Sequence, residues 1–219
     1  MKYVLIVGDG MADLPQEDLD GQTPLEYAYK PNINRLASSA ILGGIVRTVP
    51  QGMEPGSDVA NMNILGYDPR RYYTGRGPLE AIAMGVPMNK EDVAFRCNLV
   101  STDGEKIIDY SAGHISSEEA REIIEILNKK LASSKIQFYP GVSYRHLMVW
   151  REGKDEQLLT PPYNIVGKPF KPYLPQGEGE ELLRSLIYNS YEILDNLEIN
   201  KRRRDEGKPP ANLIWLWGQ

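Results

Sequence analysis

The chain has 219 residues, with 25 Lys+Arg against 30 Asp+Glu, one Cys and two His. With 41% hydrophobic and 25% charged residues it can bury a core as one large or two small domains, which excludes wholesale disorder. The net charge of −5 argues against nucleic acid or an anionic membrane as the main partner; Cys97 alone excludes a disulfide framework, and His114 and His146 alone exclude a His-rich metal site. No apolar run approaches the ~20 residues that span a bilayer, and no secretory apolar core of roughly 7–15 residues opens the chain, so a cytoplasmic location is expected.

Taken in order, Tyr3-Val4-Leu5-Ile6-Val7 reads as a buried strand closed by Gly8-Asp9-Gly10, the kind found inside a parallel sheet. Thr23-Pro24-Leu25-Glu26 carries a helix cap and a first-turn Pro, and Ile33, Leu36, Ala37 and Ala40 keep helical spacing behind Pro31. Gly43-Gly44 then precedes a second strand over 45–49. Strand, helix, strand predicts an α/β opening. Residues 50–78 are rich in Gly and Pro, and within them 57–65 reads as a short helix with positions 57, 61 and 64 on one face.

From about residue 92 the pattern changes. Strands are predicted at 93–100 and 106–110, joined by a turn over 102–105, and Ser116 with Glu119 spells a capping box. A helix over 117–132 follows, with Ala120, Ile123, Ile124, Leu127 and Leu131 in one stripe. Strands at 136–139 and 145–150, a Pro-rich stretch over 161–175 and a helix over 178–197 complete an α+β module whose boundary falls near 88–92. The run Lys201-Arg202-Arg203-Arg204 reads as a solvated face. Asn212-Leu213-Ile214-Trp215-Leu216-Trp217 reads as a buried strand that either closes this module or returns to the first sheet.

Several positions could carry chemistry. Asp9, directly after a strand, is either a turn residue or a ligand for a hard or borderline metal. Ser57 in Pro55-Gly56-Ser57-Asp58 is either a helix cap or the edge of an anion site at a helix N-terminus. Arg70, Arg71, Arg76, Arg96 and Arg145 could clamp a carboxylate or phosphate, since a guanidinium fork matches either anion. Arg76, flanked by glycines in Thr74-Gly75-Arg76-Gly77, is the most suggestive. His114 and His146 could bind substrate or serve structure alone. No Walker loop, dinucleotide fingerprint or Gly-x-Ser-x-Gly elbow is present.

Together, Val7-Gly8-Asp9-Gly10-Met11-Ala12-Asp13, Pro31-Asn32-Ile33, Pro55-Gly56-Ser57-Asp58-Val59-Ala60-Asn61, Leu65-Gly66-Tyr67-Asp68-Pro69, Tyr72-Tyr73-Thr74-Gly75-Arg76-Gly77-Pro78, Ala94-Phe95-Arg96-Cys97-Asn98 and Trp215-Leu216-Trp217-Gly218-Gln219 form an ordered set spanning the chain. The set resembles the cofactor-independent phosphoglycerate mutases of the archaeal type, within the alkaline phosphatase superfamily. Tyr139-Pro140-Gly141-Val142-Ser143-Tyr144-Arg145-His146 also resembles a bacterial branch proposed as homoserine kinase.

The resemblance implies an alkaline-phosphatase-like α/β core begun by residues 1–91, an inserted α+β cap over 92–208, and a strand over 209–219 returning toward the core. It implies two divalent metal ions (Mn, Mg, Zn or Co), with Asp9 and Ser57 among their ligands, and no requirement for 2,3-bisphosphoglycerate. Ser57 matches the nucleophile that takes the phosphoryl group of 3-phosphoglycerate and returns it to the 2-hydroxyl. Arg76, Arg96, His114, Arg145 and His146 are the candidate substrate contacts. In the family the remaining Asp and His metal ligands follow Trp-Gly-Gln, so this sequence is expected to be an N-terminal portion of a longer enzyme, inactive by itself. A homoserine kinase-like phosphotransferase, or a non-enzymatic remnant that binds a small ligand or pairs with a partner through an incomplete sheet, are the alternatives.

Overall fold

A computed structural model describes residues 1–8, 10–41 and 43–219. The chain divides into two units, Met1–Arg47 and Thr48–Gln219.

In Met1–Arg47 the described residues form a 3-10 turn at Glu17–Leu19 and two helices, α1 (Pro24–Tyr27) and α2 (Pro31–Ser38). The start of α1 is built as its sequence dictates. Thr23 Oγ1 accepts the Glu26 N–H at 3.2 Å, and the Glu26 carboxylate accepts the Thr23 N–H at 2.9 Å. The strands expected at 3–7 and 45–49 do not form among the described residues. Tyr3, Val4, Ile6 and Ile45 are exposed, and no described residue of this unit is buried. An apolar run becomes a strand only when neighbouring strands take its backbone groups, and here no described residue pairs with either run. Asp9, the predicted ligand within the first of these motifs, lies outside the described residues.

The second unit opens with three short helices, α3 (Ser57–Ile64), α4 (Pro69–Tyr72) and α5 (Arg76–Ala83). A sheet follows, formed by β1 (Val93–Thr102), β2 (Ile107–Asp109), β3 (Ile136–Val142), β4 (Arg145–Trp150) and β5 (Leu213–Trp217). Its order is β2-β1-β4-β3, with β5 also on β1, and every strand pair is antiparallel. Residues 96–98 of β1 are paired on both sides, to β4 and to β5. Of the two destinations open to the last strand, the structure takes the pairing with β1.

Strand alternation sorts the side chains of β1 onto two faces. Phe95, Cys97 and Leu99 enter the main core with Ile123, Ile124 and Leu127 of α6 (Ser117–Leu131) and Leu183, Ile187 and Leu194 of α7 (Glu180–Leu194). Burial pushes the Cys97 thiol far above the range in which it would ionise. On the opposite face Ala94 packs with Leu147, Val149 and Ala81, which seats α5 against the strands.

Three local expectations need correction. The predicted helix over 178–197 is α7, which stops at Leu194, and a further helix, α8 (Glu198–Asp205), runs through the charged segment that follows. Asn200 of α8 explains the stop: its amide donates to the Leu194 carbonyl at 2.8 Å, satisfying an end group of α7. The capping box at α6 is half formed. Ser116 Oγ accepts the Glu119 N–H, but the Glu119 carboxylate turns to Arg203 at 2.6 Å. Arg203, read as solvated, is 2% exposed; its other donors reach the carbonyls of Ala112 and Pro209 at 2.7 and 3.0 Å. A buried guanidinium requires this full set of acceptors, and Glu119 supplies the charge.

Candidate active site

Ser57 is the first residue of α3, and Gly56, with extended backbone, takes the cap position without a side-chain bond. Ser57 is therefore not the helix cap. It is exposed, and its hydroxyl makes no hydrogen bond among the described residues. The next residue, Asp58, does the bonding. Its carboxylate accepts a short hydrogen bond from the Tyr73 hydroxyl and two from Arg76, Nε to Oδ2 at 3.0 Å and Nη2 to Oδ1 at 3.2 Å. Burial alone would raise the Asp58 carboxyl, but the Tyr73 and Arg76 donors outweigh it and hold it below the usual carboxylate range. Burial and the Asp58 charge push the Tyr73 phenol upward, so it remains a protonated donor.

Arg76 begins α5 in the Gly75-Arg76-Gly77 step. A Cβ on Gly77 would run into the Ala94 carbonyl, so only glycine lets α5 lie this close to β1. The Gly77 N–H donates to the Gly218 carbonyl at 2.6 Å, which ties the start of α5 to the residue after β5.

Three strands complete the site. Arg96 lies opposite Trp217, and Asn98 opposite Arg145, so alternation puts all four on the face that α5 covers. With Arg76, Tyr110, Tyr144 and Tyr163 they line a cleft of about 270 Å³. The Trp217 ring packs between its neighbours. The Arg96 and Arg76 guanidinium carbons lie 5.0 and 5.7 Å from its centre, and its indole N–H donates to Asn98 Oδ1 at 3.1 Å. Edge-on contacts run on from Trp217 to Tyr163, Tyr110, Tyr144 and His114, with ring centres 5.6 to 6.4 Å apart. A larger cleft of about 710 Å³ adjoins at Arg76, Tyr163 and Trp217 and takes in Gly56 and Asp58.

The charges do not balance. Asp58 neutralises Arg76, and Glu80 pairs with Arg96 at 3.1 Å, while Arg145 has no carboxylate partner among the described residues. Arg96 is 4% exposed, and its Nε–H has no acceptor among the described residues. Its burial lowers it from the ordinary arginine value; Glu80 acts in the other direction, and Arg76 and Arg145 add to the lowering by repulsion. A guanidinium stays charged regardless. The cleft thus holds three guanidiniums against two carboxylates, with one buried donor unused, an arrangement that suits a carboxylate or phosphate.

The structure thus brings Arg76, Arg96 and Arg145 together. His114 stands at the margin, against Tyr144, with an exposed ring. His146 lies instead in the core, opposite Cys97 and fully buried. Its Nδ1 accepts the Gly141 N–H at 3.0 Å, its Nε2 has no partner among the described residues, and burial pushes its pKa down to about 3, so the ring is neutral. Arg70 pairs with Asp68 next to it, and Arg71 stacks on Tyr72. The sequence reading missed Asp58, Tyr73, Glu80, Asn98 and Trp217 as site residues. The i, i+2 step from Arg96 to Asn98 was a usable signal for a shared face; the pairing of Asp58 with Tyr73 and Arg76, across 15 and 18 residues, was not.

Among the described residues no three His, Cys, Asp or Glu side chains converge as a metal site, and the Asp58 carboxylate is occupied by Tyr73 and Arg76. The described residues therefore do not fit a metal centre by themselves. Nor is any described helix long and apolar enough to cross a membrane.

A family described as 2,3-bisphosphoglycerate-independent phosphoglycerate mutase matches residues 37–200. A probable enzyme of that name from Geobacter sulfurreducens is 51% identical over 222 residues, covering 100% of this chain and 55% of the relative. One from Methanothermobacter thermautotrophicus is 52% identical over 221 residues, covering 100% of this chain and 54% of the relative. The chain thus spans about half the length of the curated relatives it matches. Among solved structures, a cofactor-independent phosphoglycerate mutase from Thermoplasma acidophilum superposes with a TM-score of 0.58 at 28% identity, covering 95% of this chain and 56% of that one. A protein from Pyrococcus horikoshii superposes with a TM-score of 0.70 at 30% identity, covering 96% of this chain and 49% of that one.

Proposed function

The chain belongs to the 2,3-bisphosphoglycerate-independent phosphoglycerate mutase family, and on that premise we propose that it supplies the phosphoryl-accepting serine and an anion clamp for interconverting 3-phosphoglycerate and 2-phosphoglycerate. The observation that carries this reading is the adjacency of two features. Ser57 offers an exposed, uncapped hydroxyl at a helix start, and its neighbour Asp58 holds an arginine of a cleft with excess positive charge.

In this reading the Ser57 oxygen attacks phosphorus and loses its proton. The bond from phosphorus to the substrate 3-oxygen breaks, and that oxygen gains a proton. The 2-hydroxyl then attacks the phosphoserine and loses its proton, and the Ser57 oxygen leaves and is reprotonated. The arginines of the cleft hold the carboxylate and the phosphoryl oxygens, so that the glycerate stays in place between the two transfers.

Residues 1–91 would be the first part of a phosphatase-like core and 92–208 its inserted cap; the segment 209–219, expected to return toward the core, joins instead the sheet of 92–208, because β5 takes the open side of β1. Asp9 and Ser57 would be among the residues that hold a divalent metal, and the chemistry such a group supplies when bound is Lewis-acid activation of an oxygen nucleophile. The described residues bring too few ligands together to assign a step to it, and turnover is proposed to need more of them than these.

The direct test is binding. 3-Phosphoglycerate titrated into the protein should change Trp217 fluorescence, and Arg145→Ala should weaken binding about tenfold, the scale of one charge-assisted contact. Saturable binding of homoserine or a nucleotide, with none of 3-phosphoglycerate, would overturn the mutase reading.

A further inference from the structure

Ser57 and Arg76 begin different helices, and one carboxylate reaches from the first to the second. Asp58 follows Ser57 directly, and both Nε and Nη2 of the Arg76 fork donate to it. Two parallel hydrogen bonds fix a planar guanidinium in tilt as well as position. The Tyr73 hydroxyl adds a third donor to the same carboxylate, and the Trp217 ring lies beside the guanidinium. Arg76 Nη1 is left without a partner among the described residues. The turn is shaped for this cluster, since a Cβ on Gly56 would collide with Asp58 Oδ1 and crowd Arg76 Nη2 at 3.2 Å.

A carboxylate beside an anion cleft is an electrostatic cost to any anion that enters. Its presence there needs a compensating role, and the geometry gives one. We propose that Asp58, steadied by Tyr73, is a positioning residue that fixes Arg76 relative to Ser57. The phosphoryl-accepting hydroxyl and the arginine clamp would then keep one separation whether or not substrate is bound. This rests on the reading of Ser57 and the arginines given above.

Charge and positioning predict opposite signs. If Asp58 acted through its charge alone, Asp58→Asn would tighten 3-phosphoglycerate binding. As a brace, its loss should weaken binding about tenfold, and Tyr73→Phe should weaken it about threefold, the scale of one or two hydrogen bonds. The side-chain Nε–H of Arg76, followed by NMR, should exchange slowly with solvent in the parent protein and quickly in Asp58→Asn. Equal or tighter binding by Asp58→Asn, or an unchanged Arg76 Nε–H, would overturn the brace. Should Asp58→Asn fail to fold, Tyr73→Phe decides by the same two measurements. The underlying functional reading fails separately: if the parent protein does not bind 3-phosphoglycerate, the Arg76 signal still judges the brace.

Discussion

His146 shows how much one residue's neighbourhood decides. Sequence alone leaves it, beside Arg145, open as a substrate contact or a structural residue, yet successive strand residues point to opposite faces, and adjacency to Arg145 puts it in the core. A buried neutral histidine has a pH signature. Its folded pKa, about 3, lies below the unfolded value near 6.5, so between those values the unfolded chain binds the extra proton. Stability should therefore be unaffected by His146 above about pH 7 and fall as pH drops below it, by roughly 1.4 kcal/mol per unit at most. Urea unfolding at pH 7, 6 and 5, where most carboxylates stay ionised, should reveal this slope. His146→Asn keeps an acceptor for the Gly141 N–H and should flatten it; an unchanged slope would assign the pH effect to other groups. The arginines were legible for another reason: residue type alone marks an anion clamp. Their convergence was not, because it depends on strand register.

At the scale of elements, β3 presents an open edge. Its neighbour on one side is β4, and the Phe138 N–H and carbonyl face away from that partner toward α6. Asn128 of α6 meets both: its Oδ1 accepts the N–H at 2.9 Å and its amide donates to the carbonyl at 2.7 Å. The side-chain amide thereby stands in for a neighbouring strand and blunts the edge. Asn128→Ala should cost about 1–3 kcal/mol in chemical denaturation and cause concentration-dependent association in sedimentation. A destabilised but strictly monomeric variant would show that Asn128 serves stability alone. The elements of this half were readable because their patterns are plain: short, largely apolar runs at 93–100 and 145–150 whose burial is nearly continuous, and an apolar stripe through 117–131. Helix α8 was not, because its charged run carries no apolar stripe, and the end of α7 is set by Asn200 reaching back to Leu194.

Across the whole molecule, burial is divided unevenly. The core lies within Thr48–Gln219, whereas no described residue of Met1–Arg47 is buried. Backbone with few buried contacts opens at low free-energy cost. Limited proteolysis should cut within 1–47 first and leave a resistant fragment beginning near Thr48; equal resistance of both units would refute this. The sequence reading went astray in this same region, because the apolar runs at 3–7 and 45–49 carry the composition of strands, and composition cannot supply the neighbours a strand needs. The sheet has a consequence in time as well. Asn98 and Trp217 meet across 119 residues, and residues 96–98 have one open side until β5 pairs with them. A chain emerging from a ribosome at about 5–20 residues per second would leave that side of β1 unpaired for roughly 6–24 seconds. Through that interval the arginine cleft has no Trp217 wall, so ligand binding by the nascent chain should begin only after β5 has emerged.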